Sequence, residues 1–243
     1  MTASTFLVLT ALPEEARPLR RVLRHPDVII ATTGDGAERA GRSTRQLLSA
    51  LRPRLVLFAG LAGALTRGAA PGDSRLIREL RDMKGGVLRP RAELLEWARH
   101  AGLAEDVLVS APRLVRTRED RDRTRRMAGI TASGTGLVDL ESAACAGVAE
   151  DAGVPWLAVC GVSDGPDDHL PCWLEDARDE DGSLSRRAVA TGALLRPARI
   201  PTLLSLARRA RLGSQALARS VPGIMRAVMS AAQSVERLPG SRA

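Results

Sequence analysis

The sequence predicts an α/β layered fold, in which strands and helices alternate along the chain. Short β-prone apolar runs recur between segments whose apolar residues have helical spacing. A length of 243 residues, 44% of them hydrophobic, is sufficient for one large core or two small ones. Because such folds bind ligands at the carboxyl ends of strands, those ends are the expected place of function.

The first third of the chain predicts three strands, each followed by a turn. The predicted elements are, in order, a strand over Thr5–Thr10, a helix from Glu14, a strand over Val28–Ala31, a glycine turn at Thr33–Gly36, a helix over Ala37–Leu51, a strand over Leu55–Ala59 and a glycine turn at Gly60–Ala64. Carboxylates at the start of the first helix agree with the helix dipole.

The rest of the body is less regular until residue 136. The predicted elements are, in order, a helical stretch over 91–101, a strand over Val107–Val109, a β-prone segment at Gly136–Glu141, a helix over Ser142–Ala152, a strand over Pro155–Cys160 and a turn at Gly161–Gly165. An acidic loop then follows over Pro166–Gly182.

Charge divides the chain into a near-neutral body and a basic tail. Residues 186–243 hold eleven arginines and one acidic residue, a net charge of +10, so residues 1–185 carry −2 of the total +8. We therefore predict a domain over 1–185 and a basic helical extension over 186–243, with breaks near Pro197, Pro201 and Pro222. Because aromatic residues for base stacking are almost absent, we expect no nucleic-acid partner.

Cysteine usage and hydropathy predict a cytoplasmic protein. Three cysteines without CxxC spacing form neither a disulfide framework nor a zinc site, so we expect buried thiols in a reducing compartment. No apolar run approaches the roughly 18 to 20 residues that cross a bilayer. The first apolar run also lacks the basic leader of a signal peptide.

Six motifs at the strand ends carry a family resemblance. They are, in order, Ala11–Glu15, Gly34–Gly36, Ala59–Gly63, Pro71–Asp73, Val138–Ser142 and Val162–Asp164. Their order and intervals over about residues 5–170 resemble the nucleoside phosphorylase/nucleosidase superfamily, nearest to its methylthioadenosine/S-adenosylhomocysteine nucleosidases. The resemblance implies a single three-layer α/β domain with a central mixed sheet that cleaves the N-glycosidic bond of a purine nucleoside, with adenine as the base.

The chemistry of that cleavage explains the acidic residues. Departure of the purine leaves an oxocarbenium-like ribosyl cation, so the site needs an acid, a carboxylate on the ribose and a base on the opposite face. By the resemblance, Asp164 donates a proton toward purine N7, and Ser163 helps to hold the Asp164 side chain. Glu141 accepts hydrogen bonds from the ribose hydroxyls, and Glu15 activates the attacking water. The remaining substrate-binding positions are Gly60, Leu61, Ala62, Gly63 and Leu140.

Each acidic residue also has a plain structural interpretation. Glu15 would favour a helix N-terminus, Glu141 would be a solvated helix residue, and Asp164 would cap a turn. The chain also departs from the family at Leu61, where serine is common, and at Cys160, where many members carry arginine. No mid-sequence phenylalanine is present to stack on the base, so Trp156 or Trp173 would take that place.

The tail carries a second resemblance. The pieces are Leu170–Pro171, Asp181–Ser183, Leu194–Pro197 and the leucine/arginine helices that follow. They resemble the C-terminal part of hopanoid-associated phosphorylases, which implies a lipid-linked adenosyl substrate and a cationic helix lying on the inner face of an anionic membrane. The alternative is a helix pair that covers the sheet or forms a dimer contact.

Several questions stay open at the level of sequence. We expect no cofactor, but phosphate is a candidate co-substrate because Arg17, Arg20 and Arg39 lie near the first motifs. Glu15 favours water as the nucleophile instead. The family implies a homo-oligomer. The alternatives to a lipid-linked substrate are a soluble methylthioadenosine/S-adenosylhomocysteine-type nucleosidase and a nucleoside-binding or membrane-associated module without turnover.

Overall fold

The computed structural model describes residues 5–174 and 195–236, together with 189, 191 and 192. The strands are β1 Phe6–Thr10, β2 Val28–Thr32, β3 Leu55–Ala64, β4 Ser74–Asp82, β5 Val87–Leu88, β6 Ala104–Ser110, β7 Gly136–Asp139 and β8 Trp156–Asp164. The helices are α1 Pro13–Val22, α2 Ala37–Leu51, α3 Ala92–Arg99, α4 Arg118–Met127, α5 Ser142–Asp151 and α6 Ile200–Glu236, with short 3-10 turns at Cys172–Leu174 and Pro197–Arg199.

The eight strands form one mixed sheet, as the family resemblance implies. Its order is β2-β1-β3-β7-β6-β4-β5, and β8 pairs with both β3 and β4. The β3–β8 pair is parallel, whereas the β4–β8 pair is antiparallel. Because β3, β8, β4, β6 and β7 pair in a closed cycle, the centre of the sheet curls into a ring, with β1 and β2 extending from it.

The two glycine turns predicted after β3 and β8 are wrong, because both segments continue as strand. Gly60 pairs with Cys160 and Leu61 pairs with Gly161. The two segments that were predicted as turns are therefore neighbouring strands that pair with each other. Glycine within a strand often marks a place where another backbone comes close. The glycines here therefore indicate close packing of extended chain.

The middle of the chain contains elements that the sequence did not reveal. The strand at Val107–Val109 is confirmed within β6, and α3 lies within the helical stretch over 91–101. Strand β4 was missed because charged residues alternate with its leucines and isoleucine. Buried Glu79 is neutralised by Arg81 and Arg89, so a strand with charged side chains is stable in the interior.

Helix α6 is a structural part of the body over its second half. Leu217, Val221, Ile224 and Met225 are at most 1% exposed and pack in one cluster with Leu57, Leu157 and other residues from the strands. The predicted break at Pro222 is wrong, because α6 runs through it without interruption. Burial of the residues on both sides outweighs the local cost of a proline in a helix.

Two glycines allow α6 to approach the sheet. A Cβ atom on Gly161 would lie 2.2 Å from the carbonyl oxygen of Gly213, and one on Gly213 would lie 2.7 Å from a methyl of Leu61. Backbone therefore packs directly on backbone where α6 crosses β8. The predicted boundary at residue 185 lies outside the described residues, as do Asp181–Ser183 and Leu194, and that boundary stays a prediction.

Two expectations about single residues need correction. Cys145 and Cys160 are buried as expected, but Cys172 is exposed, because it lies in a 3-10 turn on the surface. Trp156 begins β8 and packs in the core with its ring centroid 6.1 Å from that of Phe58. Because it lies at the amino end of the strand, it is far along β8 from Asp164 and does not reach the predicted site.

Candidate active site

One cavity brings together the three acidic residues predicted from the sequence. Glu15, Glu141 and Asp164 all line it. Its walls come from the ends of β3, β7 and β8 and from the segments that follow β1, β2, β6, β7 and β8. The full lining is Ala11, Leu12, Glu15, Asp35, Leu61, Ala62, Gly63, Leu114, Val115, Val138, Asp139, Leu140, Glu141, Ser163, Asp164 and Leu170.

Every predicted substrate-binding residue except Gly60 lines that cavity. Gly60 lines an adjoining cavity, which shares Glu15, Leu61, Asp139 and Glu141 with the first. Neither Trp156 nor Trp173 lines either cavity, and Trp173 instead lies beneath the Arg199 guanidinium, 4.9 Å from it. The apolar wall is formed by Leu114, Val115 and Leu170, so aliphatic side chains occupy part of the lining where a ring was expected.

Glu15 is positioned by the first turn of α1. Its Oε2 accepts a hydrogen bond of 2.9 Å from the backbone N–H of Leu12, so the residue does support the helix N-terminus. The same carboxyl is only 3% exposed and faces the cavity. Desolvation raises the pKa of Glu15 to about 7, despite backbone hydrogen bonds from Leu12, Leu61 and Ala11. A carboxyl with this pKa exchanges a proton readily at neutral pH.

Glu141 is part of a crowded acidic group. Its Oε1 accepts a hydrogen bond of 2.8 Å from the backbone N–H of Gly36, which ties the end of β7 to the turn before α2. Burial and the nearby carboxyls of Asp139 and Asp35 raise the pKa of Glu141 well above its ordinary value. The interpretation of Glu141 as a solvated helix residue is therefore wrong.

Asp139 shares this acidic end of the cavity. It accepts a hydrogen bond of 2.5 Å from Ser110 Oγ and one of 3.0 Å from the backbone N–H of Ser142. Desolvation nevertheless raises the pKa of Asp139. Together with Glu15 and Glu141, it forms what we call the acidic end of the cavity, where burial raises the pKa of each carboxyl.

Asp164 has a different environment at the other end. Its Oδ2 forms an ion pair with the Arg121 guanidinium, and its Oδ1 accepts a hydrogen bond of 2.5 Å from Ser163 Oγ. Arg121 is 1% exposed and also donates from Nη1 to the carbonyl oxygen of Ala64 at 3.0 Å. Two donors thus fix the orientation of the Asp164 carboxylate.

Gly63 is needed for that ion pair. A Cβ atom at this position would lie 2.6 Å from Asp164 Oδ2 and 2.8 Å from Arg121 Nη1. The guanidinium and the carboxylate therefore meet directly over the backbone of β3. Gly63, which the resemblance places among the substrate-binding residues, lines the cavity and also makes room for these two side chains.

The sequence missed three charged groups at this site. In the fold, Asp35 and Asp139 both lie near Glu141. Both belong to motifs that carry the resemblance, and that membership was the signal in the sequence that could have found them. Arg121 lies on α4, in a stretch where seven arginines between 113 and 126 are alike in sequence. Nothing in the sequence distinguishes the one that is buried.

The described part of the chain holds neither a cluster of metal ligands nor a membrane-spanning helix. Within it, no group of three or more His, Cys, Asp or Glu side chains has an arrangement that could hold a metal ion. Across residues 5–174 and 195–236, no helix is long and apolar enough to cross a bilayer.

Comparisons with known proteins agree with this architecture. A family model described as the phosphorylase superfamily matches residues 19–105. The resemblance to that superfamily is confirmed over this range, which holds the motifs at Gly34–Gly36, Ala59–Gly63 and Pro71–Asp73. No curated protein matches the sequence.

Solved structures of nucleosidases share the fold. Futalosine hydrolase of Helicobacter pylori is 16% identical and has a TM-score of 0.69, with 92% of this chain and 98% of that chain covered. The 5′-methylthioadenosine/S-adenosylhomocysteine nucleosidase of Neisseria meningitidis, in complex with methylthio-immucillin-A, is 17% identical, with a TM-score of 0.69 and coverage of 92% and 99%. A putative nucleosidase of the same kind from Borrelia burgdorferi, bound to adenine, is 14% identical, with a TM-score of 0.70 and coverage of 91% and 99%.

Proposed function

We propose that the chain is an N-glycosidase that releases the base, adenine, from a purine nucleoside. The observation that carries the proposal is the convergence of Glu15, Glu141 and Asp164 on one cavity. Structures with this fold include one bound to adenine and one bound to methylthio-immucillin-A, which supports a nucleoside as the ligand.

The acidic end of the cavity suits the sugar and the attacking water. In hydrolysis, the water oxygen bonds to C1′ while the C1′–N9 bond breaks and its electrons move to the purine. Glu15, when ionised, takes a proton from that water. Glu141 accepts hydrogen bonds from the ribose hydroxyls, which holds the sugar as positive charge develops on it.

The Asp164 end suits the leaving base. The protonated form of Asp164 donates its proton to purine N7 as the glycosidic bond breaks, and Arg121 pairs with the carboxylate that remains. Ser163 and Arg121 hold the carboxyl in a single orientation. Leu114, Val115 and Leu170 provide the apolar surface against which the base packs.

Release of free adenine tests this proposal. The chain is incubated with methylthioadenosine, S-adenosylhomocysteine or an adenosyl lipid, with and without phosphate, and the products are separated by chromatography. We expect adenine release by the unmodified chain and loss of release in Asp164→Asn. Release that depends on phosphate identifies phosphorolysis, whereas equal release in its absence identifies hydrolysis. Binding of these nucleosides without any release would support the non-catalytic module instead.

A lipid-linked adenosyl nucleoside, such as the head of a hopanoid lipid, is the second substrate that we propose. The first half of α6 supports it, because Ile200, Leu204 and Leu212 are 44%, 66% and 39% exposed. Arg208 and Arg211 are exposed on the same stretch of helix. A surface that combines apolar side chains with arginines suits peripheral contact with an anionic membrane.

Vesicle binding tests the membrane contact without disturbing the core. Removal of the whole tail would also remove the buried residues of α6, so point variants are better suited. Leu204→Ser should reduce sedimentation of the protein with phosphatidylglycerol vesicles. The matched control is Val22→Ser, because Val22 is 50% exposed on α1. Equal vesicle binding by both variants would remove the membrane proposal.

The homo-oligomer that the family resemblance implies stays a prediction.

A further inference from the structure

A second cavity lies next to the Asp164 end of the candidate active site. Arg121 lines this second cavity, while its ion-pair partner Asp164 lines the first. Its volume is about 180 Å³, several times the roughly 30 Å³ that one water molecule occupies in the liquid. The lining residues are Leu65, Thr66, Arg67, Arg118, Arg121, Asp122, Arg125, Ala132, Pro166 and Asp167. We call it the arginine cavity.

Helical spacing explains why arginines gather there. Arg118, Arg121 and Arg125 follow one another at intervals of three and four, so they lie on one face of α4. Arg67 approaches from the segment after β3. Four guanidinium groups therefore surround one small volume.

Carboxylates only partly neutralise this group. Asp167 pairs with Arg67 at 3.1 Å and with Arg118 at 3.3 Å, but its side chain is 52% exposed. Asp122 lies 3.5 Å from Arg125. Four arginines thus face two lining carboxylates, and the cavity keeps an excess of positive charge even with Asp164 bound to Arg121.

Two buried polar atoms in the walls lack hydrogen-bond partners. They are Thr66 Oγ1 and Arg121 Nε, and neither has a partner among the described residues. Arg121 is 1% exposed and Thr66 is 7% exposed. An unsatisfied buried donor costs free energy, so both groups would gain from an acceptor placed in the cavity.

We propose that the arginine cavity is a binding site for a small oxyanion, either inorganic phosphate or a phosphate ester. Arginine binds the oxygens of such anions with paired N–H donors, and a threonine hydroxyl adds a further donor. Arg118 and Arg125 would contact the anion from α4, and Thr66 from the segment after β3. The site is distinct from the cavity that Glu15 and Glu141 line, and its binding can be measured without turnover.

Calorimetric titration of the full chain with inorganic phosphate at constant ionic strength tests the proposal. Arg125→Gln removes one of the guanidinium groups that line the cavity. Phosphate binding should weaken at least about tenfold, as expected for the loss of a hydrogen bond to a charged group. Arg126→Gln is the matched control, because Arg126 is exposed on the same helix and does not line the cavity. We expect this control to bind phosphate as the unmodified chain does.

Thr66→Val separates binding from folding. The change removes a hydroxyl without a partner and keeps the shape of the side chain, so the unfolding temperature should stay the same or rise. Phosphate binding should nevertheless weaken. Binding that is insensitive to both Thr66→Val and Arg125→Gln, or no binding at millimolar phosphate, would overturn the proposal. Titration with glycerol 3-phosphate distinguishes the sources, since tighter binding of the ester indicates a phosphorylated ligand and tighter binding of phosphate indicates the free ion.

Discussion

The two ends of the candidate active site surround their carboxyl groups with different neighbours. At one end, burial raises the pKa values of Glu15, Asp139 and Glu141, and the nearby carboxyls of Asp139 and Asp35 raise that of Glu141 further. At the other end, Asp164 is balanced by the buried guanidinium of Arg121. Carboxyl groups of one cavity can therefore serve different functions, because one end surrounds them with other buried carboxyls and the other end pairs one with a guanidinium.

Replacement of Glu15 tests the acidic end most strongly. Glu15→Gln keeps the size of the side chain but removes the base, so adenine release should fall about 10²- to 10⁴-fold. Glu14→Gln is the matched control, since Glu14 is the exposed neighbour on the same turn of α1. The measurement is the rate of adenine release at saturating nucleoside. Similar rates for the two variants would show that Glu15 takes no part in cleavage.

A double-mutant cycle tests the charged end. Arg121→Met alone leaves Asp164 buried without its partner and should reduce the free energy of unfolding by about 3 to 5 kcal/mol. Asp164→Asn alone should be destabilising for the same reason. The double variant should lose less than the sum of the two, because no unpaired charge remains. Chemical denaturation provides the three values. If the two losses simply add, the pair is not a coupled buried ion pair.

The pH dependence of stability distinguishes the two ends further. Glu15 has a folded-state pKa of about 7, against 4.5 for the exposed group. Folding therefore favours its protonated form, so this contribution is fully present below about pH 4.5 and is lost as the pH rises to about 7. The loss amounts to roughly 3 kcal/mol. Glu15→Gln should lack it, so the variant should gain stability relative to the unmodified chain between pH 5 and pH 8. Parallel stability curves would contradict this expectation.

Disturbing the contact between α6 and the sheet should cause the smallest of these changes in the free energy of unfolding. Gly161→Ala forces a methyl against the carbonyl of Gly213 and should cost about 1 to 3 kcal/mol of unfolding free energy. Gly147→Ala is a suitable control, because no atom outside its own helix backbone lies within 4 Å of a Cβ atom there. Thermal unfolding of both variants gives the comparison. A loss of stability that is no larger than in the control would show that α6 can move away from β8 at little cost.

The convergence of Glu15, Glu141 and Asp164 on one cavity was predictable from the sequence, whereas the middle of the fold was not. Their motifs lie at or just after strand ends, and strand ends meet at one edge of an α/β sheet. Strand β4 was hidden because five of its nine residues are charged, and buried Glu79 is neutralised by Arg81 across the same strand and by Arg89 beyond it. Arg121 was hidden for a similar reason, since its burial depends on Gly63 and Asp164, which lie far away in the chain.

Local sequence rules also failed where packing over long distances decides the structure. The glycines of β3 and β8 predict turns, but the two strands pair through them. Pro222 predicts a helix break, but the buried residues around it keep α6 continuous. In both cases, the energy of packing between distant segments exceeds the local preference.

The dependence of adenine release on pH reports whether Glu15 takes the proton from water. If Glu15 takes the proton from water, kcat/KM should rise with pH through an apparent pKa near 7 and then level off, as its carboxyl becomes ionised. Glu15→Gln should abolish that rise, and Glu14→Gln should retain it. A rate that is flat from pH 5 to pH 9, or a rise that persists in Glu15→Gln, would contradict the assignment of the acidic end to water activation.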